Sequence, residues 1–225
     1  MKFDRKKLAE SLSLYALTDC RWTKRCGGKF ALDEQVEMSI KGGATMIQYR
    51  EKALDEKLSA EELDFYKKEA KSVQSVCKKY GVPFIVNDDV EFAKELDADG
   101  IHVGQSDMAL QDARKLLGPD KIIGVSAQTV EQAVEAEKNG ADYLGVGAVF
   151  PTGSKDDAVD VSLEVLGQIC KEVKIPVVAI GGITEENVHE LSESGICGIA
   201  VISAIFSKPD VEKASAALLE KVQSL

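Results

Sequence analysis

Short apolar runs alternate with longer amphipathic stretches along nearly the whole chain. Each run is rich in Val, Ile and Leu and is bounded by glycine or polar residues, which is typical of a strand buried in a parallel sheet. The pattern predicts eight strands, at Leu14–Thr18, Met46–Arg50, Phe84–Asn87, Gly100–Val103, Ile122–Ser126, Tyr143–Val149, Val177–Ile180 and Gly198–Ile202.

The stretches between the strands carry apolar residues at the spacing that is typical of surface helices. They predict helices at Asp33–Lys41, Ala60–Lys79, Val130–Lys138, Leu163–Val173, Glu186–Ser194 and Val211–Val222. Thr184 is the predicted N-cap of the fifth of these helices, with Glu185 and Glu186 in its first turn, where the helix dipole favours negative charge. Glycine follows four of the predicted helices, as it often does at helix C-termini: Gly42, Gly81, Gly140 and Gly195.

Eight strands that alternate with helices imply a parallel sheet with helical crossovers. At 225 residues, this count predicts a TIM (β/α)8 barrel that forms a single domain over residues 1–225. The alternative is an open, doubly wound sheet. The number of strands favours the barrel.

The net charge of −10 and the pI of about 4.9 narrow the choice of partners. An acidic surface argues against nucleic acid, because a phosphate backbone attracts basic faces. A small phosphorylated ligand remains compatible, since a local cationic pocket can form in an acidic protein. The sequence leaves the oligomeric state open, a homo-oligomer included.

The five cysteines are scattered along the chain, and no C-x-x-C motif occurs. An odd number of cysteines and only two histidines argue against a disulfide framework and against a zinc site. We therefore expect free thiols in a reducing compartment, and so a cytoplasmic protein. The apolar stretch near the N-terminus is short and interrupted, so we expect neither a signal peptide nor a membrane span.

Gln48, Arg50 and Lys52 alternate at the end of the second predicted strand. Successive side chains of a strand point to opposite faces, so these three share one face, while Ile47 and Tyr49 share the other. Two cations and an amide on one face are costly unless an anion meets them. The pattern predicts an anion site at the mouth of the barrel, where the carboxyl ends of the strands lie.

Two acidic residues, Asp88 and Asp107, follow neighbouring predicted strands. Mg²⁺ typically takes one or two carboxylates together with phosphate oxygens, so this pair predicts a Mg²⁺ site beside the cations. The alternative for each is a helix N-cap; at the first position we assign the cap to Asp89 and the metal to Asp88. Lys155, in a loop after the sixth strand, is either a solvated surface lysine or part of a mobile phosphate-binding segment.

Gly181 and Gly182 follow the seventh predicted strand, and Ser203 follows the eighth. This is the usual phosphate position in barrels of this kind, because glycine lets the backbone approach and N–H groups bind the oxyanions. A tight turn is the alternative for the glycine pair, since glycine is common wherever backbone geometry is strained. Because Ser203 is predicted at the neighbouring strand end, we favour a phosphate site over a simple turn.

The remaining polar features have a structural interpretation. His102 lies between apolar residues and should point into the barrel as a satisfied core side chain. Trp22 belongs to the long irregular segment Cys20–Phe30, and it is either a lid residue or part of the packing of that loop. No strand end carries a Ser-His-Asp or Cys-His arrangement, which argues against covalent acyl transfer, since that chemistry needs a base beside its nucleophile.

Taken together, the groups at the strand ends resemble those of the thiamine-phosphate synthase family. The resemblance runs from about Leu14 to the C-terminus. Its motifs are Gln48-Tyr49-Arg50-Glu51-Lys52, Phe84-Ile85-Val86-Asn87-Asp88-Asp89, Asp99-Gly100-Ile101-His102-Val103-Gly104-Gln105-Ser106-Asp107, Gly124-Val125-Ser126, Gly147-Ala148-Val149-Phe150-Pro151-Thr152-Gly153-Ser154-Lys155, Ile180-Gly181-Gly182-Ile183-Thr184 and Val201-Ile202-Ser203-Ala204-Ile205.

The resemblance implies a Mg²⁺-dependent transferase that joins the diphosphate of a hydroxymethylpyrimidine to a thiazole phosphate and releases diphosphate, through a dissociative pyrimidinylmethyl cation. It implies that the pyrimidine diphosphate is held by Gln48, Arg50, Lys52, Asn87, Ser126 and Lys155. It further implies that Asp88 and Asp107 bind Mg²⁺, and that the thiazole phosphate is contacted by Thr152, Ser154, Gly182, Ile202 and Ser203. Of these residues, Arg50, Lys52 and Lys155 would stabilise the departing charge.

Two positions depart from the family pattern. Ser154 stands where the family usually has Thr, and the hydroxyl survives. Gln128 stands where many members, and the related thiazole tautomerase, have His. Because that His is catalytic in the tautomerase, its replacement favours the synthase. A tautomerase or isomerase on the same barrel, and a non-catalytic binder of phosphorylated ligands, are the competing hypotheses.

Overall fold

Eight parallel strands are each hydrogen-bonded to the next along the chain, and they close into a barrel because the first strand also pairs with the last. The computed structural model of the protein describes residues 4–52, 58–105, 110–153 and 159–225. The strands are β1 Leu14–Leu17, β2 Met46–Tyr49, β3 Phe84–Asn87, β4 Gly100–Val103, β5 Ile122–Ala127, β6 Tyr143–Val146, β7 Val177–Ile180 and β8 Gly198–Val201. The predicted TIM barrel is confirmed, and the open sheet is wrong.

Among the helices that the described residues form, one precedes the first strand, two follow the last, and the others lie between strands, as a barrel with crossover connections requires. They are α1 Arg5–Ser11, α2 Leu32–Lys41, α3 Ala60–Tyr80, α4 Val90–Glu95, α5 Leu110–Leu117, α6 Val130–Lys138, α7 Leu163–Glu172, α8 Ser203–Phe206 and α9 Val211–Gln223, with short 3₁₀ helices at Cys20–Trp22, Lys24–Cys26 and Val188–Leu191. Within this part of the chain, no helix is long and apolar enough to cross a membrane.

Alternation along the strands divides the apolar residues into two clusters. One set packs between the sheet and the surrounding helices, with Ile47, Tyr49 and Phe84 among its members. The other set fills the barrel, and its members on the strands are Tyr15, Leu17, Met46, Ile85, Ile122, Tyr143, Val178 and Ala200. The interior is therefore filled by side chains of the described residues, as in other barrels of this kind.

The amino end of the barrel is closed by α1. Leu8, within this helix, is 2% exposed, and Leu12, the first residue after the helix, is 0% exposed. Both belong to the inner cluster. The turn from α1 into β1 lies so close to the first residue of β8 that a Cβ on Gly198 would stand 2.1 Å from the carbonyl oxygen of Leu12. Residues before β1 thus act as an apolar plug.

The predicted helix at Glu186–Ser194 is wrong, because only the 3₁₀ helix Val188–Leu191 forms there. The side chain of Asn187 accepts a hydrogen bond from the Thr184 amide at 2.8 Å and donates one to the Gly182 carbonyl at 2.9 Å. Local bonds of this kind offer the backbone an alternative to the α-helix. Thr184 nevertheless caps a turn, since its hydroxyl accepts from the Glu186 amide at 3.2 Å.

Candidate active site

The end of β2 places Gln48 inside the barrel and Arg50 at its mouth. Gln48 is 1% exposed, and its Nε2 donates to the Tyr15 hydroxyl at 2.7 Å. Thr18, the residue after β1, holds the backbone of Arg50. Its hydroxyl accepts a hydrogen bond from the Arg50 amide at 2.9 Å and donates one to the Arg50 carbonyl at 3.2 Å. The side chain of Lys52 is exposed at the rim. The strand end thus presents an amide in the interior and cations above it.

A cavity of about 150 Å³ opens beside these cations. It is lined by Asp19, Cys20, Arg21, Arg50, Glu51, Lys52 and Gly153. Three of these side chains are cationic and belong to the segments that follow β1 and β2. The three cations outnumber the two carboxylates of this lining, those of Asp19 and Glu51. The cavity therefore carries a small positive charge in a chain whose net charge is −10, and such a local excess attracts anionic ligands.

Asp19 and Arg21 are parts of this cavity that the sequence analysis missed. Asp19 is 5% exposed and accepts from Arg21 through its Nη2 at 2.7 Å and its Nε at 3.0 Å, while Nη1 of Arg50 stands 3.6 Å from Asp19. Burial by itself would raise the pKa of Asp19, but the hydrogen bonds from Arg21 and the charges of Arg21 and Arg50 together lower it. The buried carboxylate therefore orients both guanidinium groups.

Arg21 also connects two loops over the barrel. Its Nη1 donates to the carbonyl oxygen of Gly153, in the segment after β6, at 3.4 Å. Its guanidinium carbon lies 4.9 Å from the centre of the Trp22 ring, and Trp22 packs against the outer apolar cluster. The Cys20–Phe30 segment thus contributes a cation to the cavity. Trp22 makes the contacts expected of a residue that packs its loop, which was one of its two predicted roles.

Glu51 stands between Arg50 and Lys52 in the sequence, lines the same cavity and is paired with Arg25. The two side chains form a close ion pair in which the Glu51 side chain is 4% exposed, and Arg25 also lies 3.8 Å from Glu69. This pairing offsets the carboxylate of Glu51 locally.

Asp88 follows β3 with a backbone φ of 61°. Its amide donates to the His102 carbonyl at 2.9 Å, and its carboxylate accepts a close hydrogen bond from the side chain of Asn87. A non-glycine residue in this left-handed region is strained, and such residues cluster at functional sites. Asp89 instead caps α4, since its carboxylate accepts from the Phe92 amide at 2.9 Å. The two aspartates therefore separate as predicted, one to a strand end and one to a helix cap.

The donor chemistry at this strand end fits Mg²⁺, which prefers carboxylate oxygens. Asp107, the other predicted ligand, lies outside the described residues, as do Ser154 and Lys155. Within residues 4–52, 58–105, 110–153 and 159–225, no three His, Cys, Asp or Glu side chains come together as a metal site. The predicted Mg²⁺ site stays a prediction.

His102 and Ser126 lie inside the barrel on β4 and β5. The His102 ring is 9% exposed; its Nδ1 lies 3.0 Å from the Tyr143 hydroxyl, and its Nε2 lies 3.0 Å from the Ser126 hydroxyl. Tyr143 in turn lies 2.9 Å from the Tyr15 hydroxyl. Burial raises the pKa of both phenols, which stay neutral. The histidine has the hydrogen-bonded surroundings expected of a core residue, and it also contacts a predicted site residue.

The ends of β7 and β8 form the opposite side of the mouth. Gly181 and Gly182 have φ of 98° and 64°, and a Cβ on Gly182 would stand 2.5 Å from the carbonyl oxygen of Pro151. Glycine is therefore required both by the backbone conformation and by the close approach of the β6 loop. The amide of Phe150 donates to the Gly181 carbonyl at 3.1 Å, which fixes the segment that leads to Thr152. Ile202 and Ser203 lie directly after β8.

The structure thus gathers at one end of the barrel the predicted site residues that it describes. Gln48 and Ser126 lie inside, Arg50 and Lys52 line the cavity, and Asn87 ends β3 and is followed by Asp88. A (β/α)8 barrel with cations and glycines at its carboxyl end is typical of enzymes that bind phosphorylated small molecules.

Comparisons with known proteins identify the family. Residues 14–205 match the thiamine monophosphate synthase family. Two similar relatives named thiamine-phosphate synthase are those of Methanobrevibacter smithii, 49% identical over 84% of this chain and 87% of the relative, and of Ruminiclostridium cellulolyticum, 51% identical over the same shares. A thiamine phosphate pyrophosphorylase from Pyrococcus furiosus superimposes with a TM-score of 0.83 at 40% identity, covering 96% of this chain and 98% of that one.

The chain therefore belongs to the thiamine monophosphate synthase family, as the resemblance of its motifs predicted. It is accordingly an enzyme of the transferase class.

Proposed function

We propose that the protein is a thiamine-phosphate synthase that uses Mg²⁺. In the proposed reaction, 4-amino-2-methyl-5-(diphosphooxymethyl)pyrimidine condenses with 4-methyl-5-(2-phosphooxyethyl)thiazole to give thiamine monophosphate and diphosphate. The observation that carries the proposal is the arrangement at the end of β2, where Gln48 lies in the interior and Arg50 and Lys52 line one cavity. A heterocycle below a diphosphate has the polarity to match this arrangement.

The cations would stabilise the departure of the diphosphate. As the bond from the methylene carbon to the diphosphate oxygen breaks, negative charge grows on the leaving group and positive charge on the pyrimidinylmethyl carbon. Arg50 is held in place before the reaction by Thr18 and Asp19, so its reorganisation costs little. One such preorganised group contributes on the order of 3 kcal/mol to lowering the barrier. Lys52 and Lys155 would add to this stabilisation.

The polar side chains inside the barrel would hold the pyrimidine. Gln48 and Ser126 would contact its nitrogen atoms, and Asn87 would contact the same substrate from β3. On the opposite side, Thr152, Ser154, Gly182, Ile202 and Ser203 would hold the thiazole phosphate. The thiazole nitrogen would then lie in line with the methylene carbon and capture the cation before water does, because a bound, oriented partner reacts at a high effective concentration.

Mg²⁺ would be held by Asp88 and Asp107, and when bound it would supply positive charge to the phosphate oxygens. The left-handed backbone of Asp88 supports this role, since strain of this kind persists where function requires it. The chain's own part is to keep this carboxylate at the strand end. The hydrogen bond from the Asn87 side chain does so.

The test is a coupling assay with both heterocycles. We expect thiamine monophosphate and diphosphate in equal amounts with Mg²⁺, no product after chelation, and recovery when Mg²⁺ is restored. Full activity after chelation would contradict the metal assignment. Isomerisation of a thiazole carboxylate phosphate without coupling would show a tautomerase, and binding of both heterocycles without turnover would show a non-catalytic binder.

The same proposal includes a cytoplasmic location and small phosphorylated heterocycles as partners. All five cysteines are free thiols, which is the usual state in a reducing compartment. Fractionation of cells with a tagged chain tests the location, and recovery of the tagged chain outside the cytoplasm would contradict it.

A further inference from the structure

A continuous chain of hydrogen bonds crosses the barrel interior from Gln48 to Ser126. Gln48 Nε2 donates to the Tyr15 hydroxyl at 2.7 Å, and the Tyr15 and Tyr143 hydroxyls lie 2.9 Å apart. Tyr143 lies 3.0 Å from Nδ1 of His102, whose Nε2 lies 3.0 Å from the Ser126 hydroxyl. The five side chains come from five different strands, so closure of the barrel creates the chain.

The bonds of this chain all point in one direction. A phenol has one proton, and the Tyr15 oxygen accepts from Gln48, so its proton goes to Tyr143, its other hydrogen-bond partner within the described part of the protein. The Tyr143 proton then goes to Nδ1 of His102. A neutral imidazole that accepts at one nitrogen donates at the other, so Nε2 donates to Ser126.

The two ends of the chain therefore offer opposite chemistry. Gln48 Oε1 is buried and has no hydrogen-bond partner among the described residues, so it offers an acceptor. The Ser126 oxygen accepts from His102, which leaves its own proton available as a donor. If the Gln48 side-chain amide rotates by 180°, the donor and the acceptor exchange roles in every hydrogen bond of the series. Gln48 then offers a donor and Ser126 an acceptor. The hydrogen-bonding roles of Gln48 and Ser126 are therefore coupled.

We propose that Tyr15, Tyr143 and His102 are positioning residues: through this chain of hydrogen bonds they orient Gln48 and Ser126 and so set the specificity for an aminopyrimidine. The proposal rests on the proposed function, in which Gln48 and Ser126 contact the pyrimidine. Gln48 Oε1 accepts a hydrogen bond from the amino group of the ring, and the Ser126 hydroxyl donates one to a ring nitrogen. A buried acceptor left without a donor costs a large part of the binding energy, so a pyrimidine that lacks the amino group is rejected.

The test compares the dissociation constants of the pyrimidine diphosphate and of its analogue with hydrogen in place of the amino group. Tyr143→Phe and Tyr15→Phe each cut the chain, and neither residue contacts the substrate in the proposal. Tyr49→Phe is the matched control, because Tyr49 is also a buried tyrosine of the barrel, yet it faces the outer cluster and its hydroxyl lies 3.4 Å from Glu69. Calorimetry gives the ratio of the two constants for each variant.

We expect the wild type and Tyr49→Phe to prefer the amino compound by about 100-fold, and the two cut variants to lose about tenfold of this preference. We also expect the KM for the thiazole phosphate to stay unchanged in the cut variants, which a general loss of structure would not allow. An equal preference in all four proteins would overturn the inference, and so would a wild type that binds neither compound. A wild type that binds and discriminates without coupling would overturn the proposed function alone.

Discussion

The two ends of the barrel are built from the same eight strands and have opposite chemistry. At the amino end, Leu8 and Leu12 are buried against the inner apolar cluster. At the carboxyl end, Asp19, Arg21 and Arg50 form an ionic network around a cavity. Apolar burial stabilises a fold without chemistry, whereas charges held at a strand end are available to a ligand. Substitutions at the amino end should therefore affect stability, and those at the carboxyl end should affect activity.

The largest expected effect is at the carboxyl end. Lys52→Ala should lower kcat/KM for the pyrimidine diphosphate on the order of 10²–10³-fold, because a cation that meets the departing diphosphate is removed. Steady-state kinetics measures this loss, and thermal unfolding should show little change because Lys52 is exposed. Lys6→Ala, at an exposed position of α1, is the control. Equal activities of the two variants would contradict the assignment.

The next effect is at the amino end. Leu12→Ala should destabilise the protein by about 3 kcal/mol, because Leu12 is 0% exposed and its loss leaves a cavity. Urea unfolding measures the free energy, and kcat of the folded enzyme should stay near the wild-type value. Leu225→Ala is the control, since Leu225 is 36% exposed. A Leu12→Ala protein of normal stability would disprove the apolar plug.

Gly182→Ala tests the carboxyl end on the side proposed for the thiazole phosphate. The left-handed backbone alone should cost about 1–2 kcal/mol, and the contact with the Pro151 carbonyl should add to it and raise the KM for the thiazole phosphate. Gly118→Ala isolates the backbone cost, because its φ is 87° and a Cβ there meets nothing within 4 Å. If both variants show the same loss of stability and the same KM, the contact between residue 182 and the Pro151 carbonyl does not affect function.

The smallest effect is a pH dependence at Asp19. Its pKa in the folded protein is lower than the ordinary value of 3.8, so its contribution to stability is complete above that value and is lost as the pH falls through the lower folded pKa. From about pH 5 to about pH 2, the wild type should lose more stability than Asp19→Asn, which does not titrate. Acid unfolding followed by circular dichroism measures the difference, and parallel curves would contradict it.

Much of the fold and part of the site could be predicted from the sequence. Each strand is a short apolar run, and the side chains at strand ends of a barrel meet at one rim, so Gln48, Arg50 and Lys52 could be placed without coordinates. The predicted end of the sixth strand is wrong, since β6 ends at Val146 and not at Val149. The helix after Thr184 was mispredicted because the Asn187 side chain bonds locally.

Contacts between distant segments could not be predicted. Arg21 lies in the 3₁₀ helix Cys20–Trp22, which is too short to show periodicity in the sequence, and only its position shortly after β1 could have suggested a role. Tyr15 and Tyr143 are 128 positions apart and meet only because the barrel closes. Period-two alternation indicates that each shares a face with its neighbours, but the partner across the interior depends on the curvature and register of the sheet.

The decisive measurement is a crystal structure with the pyrimidine diphosphate and Mg²⁺ bound. We expect the diphosphate against Arg50 and Lys52, the metal on Asp88 and Asp107, and the amino group of the ring at Gln48 Oε1. A diphosphate bound away from the carboxyl ends of the strands would contradict this expectation.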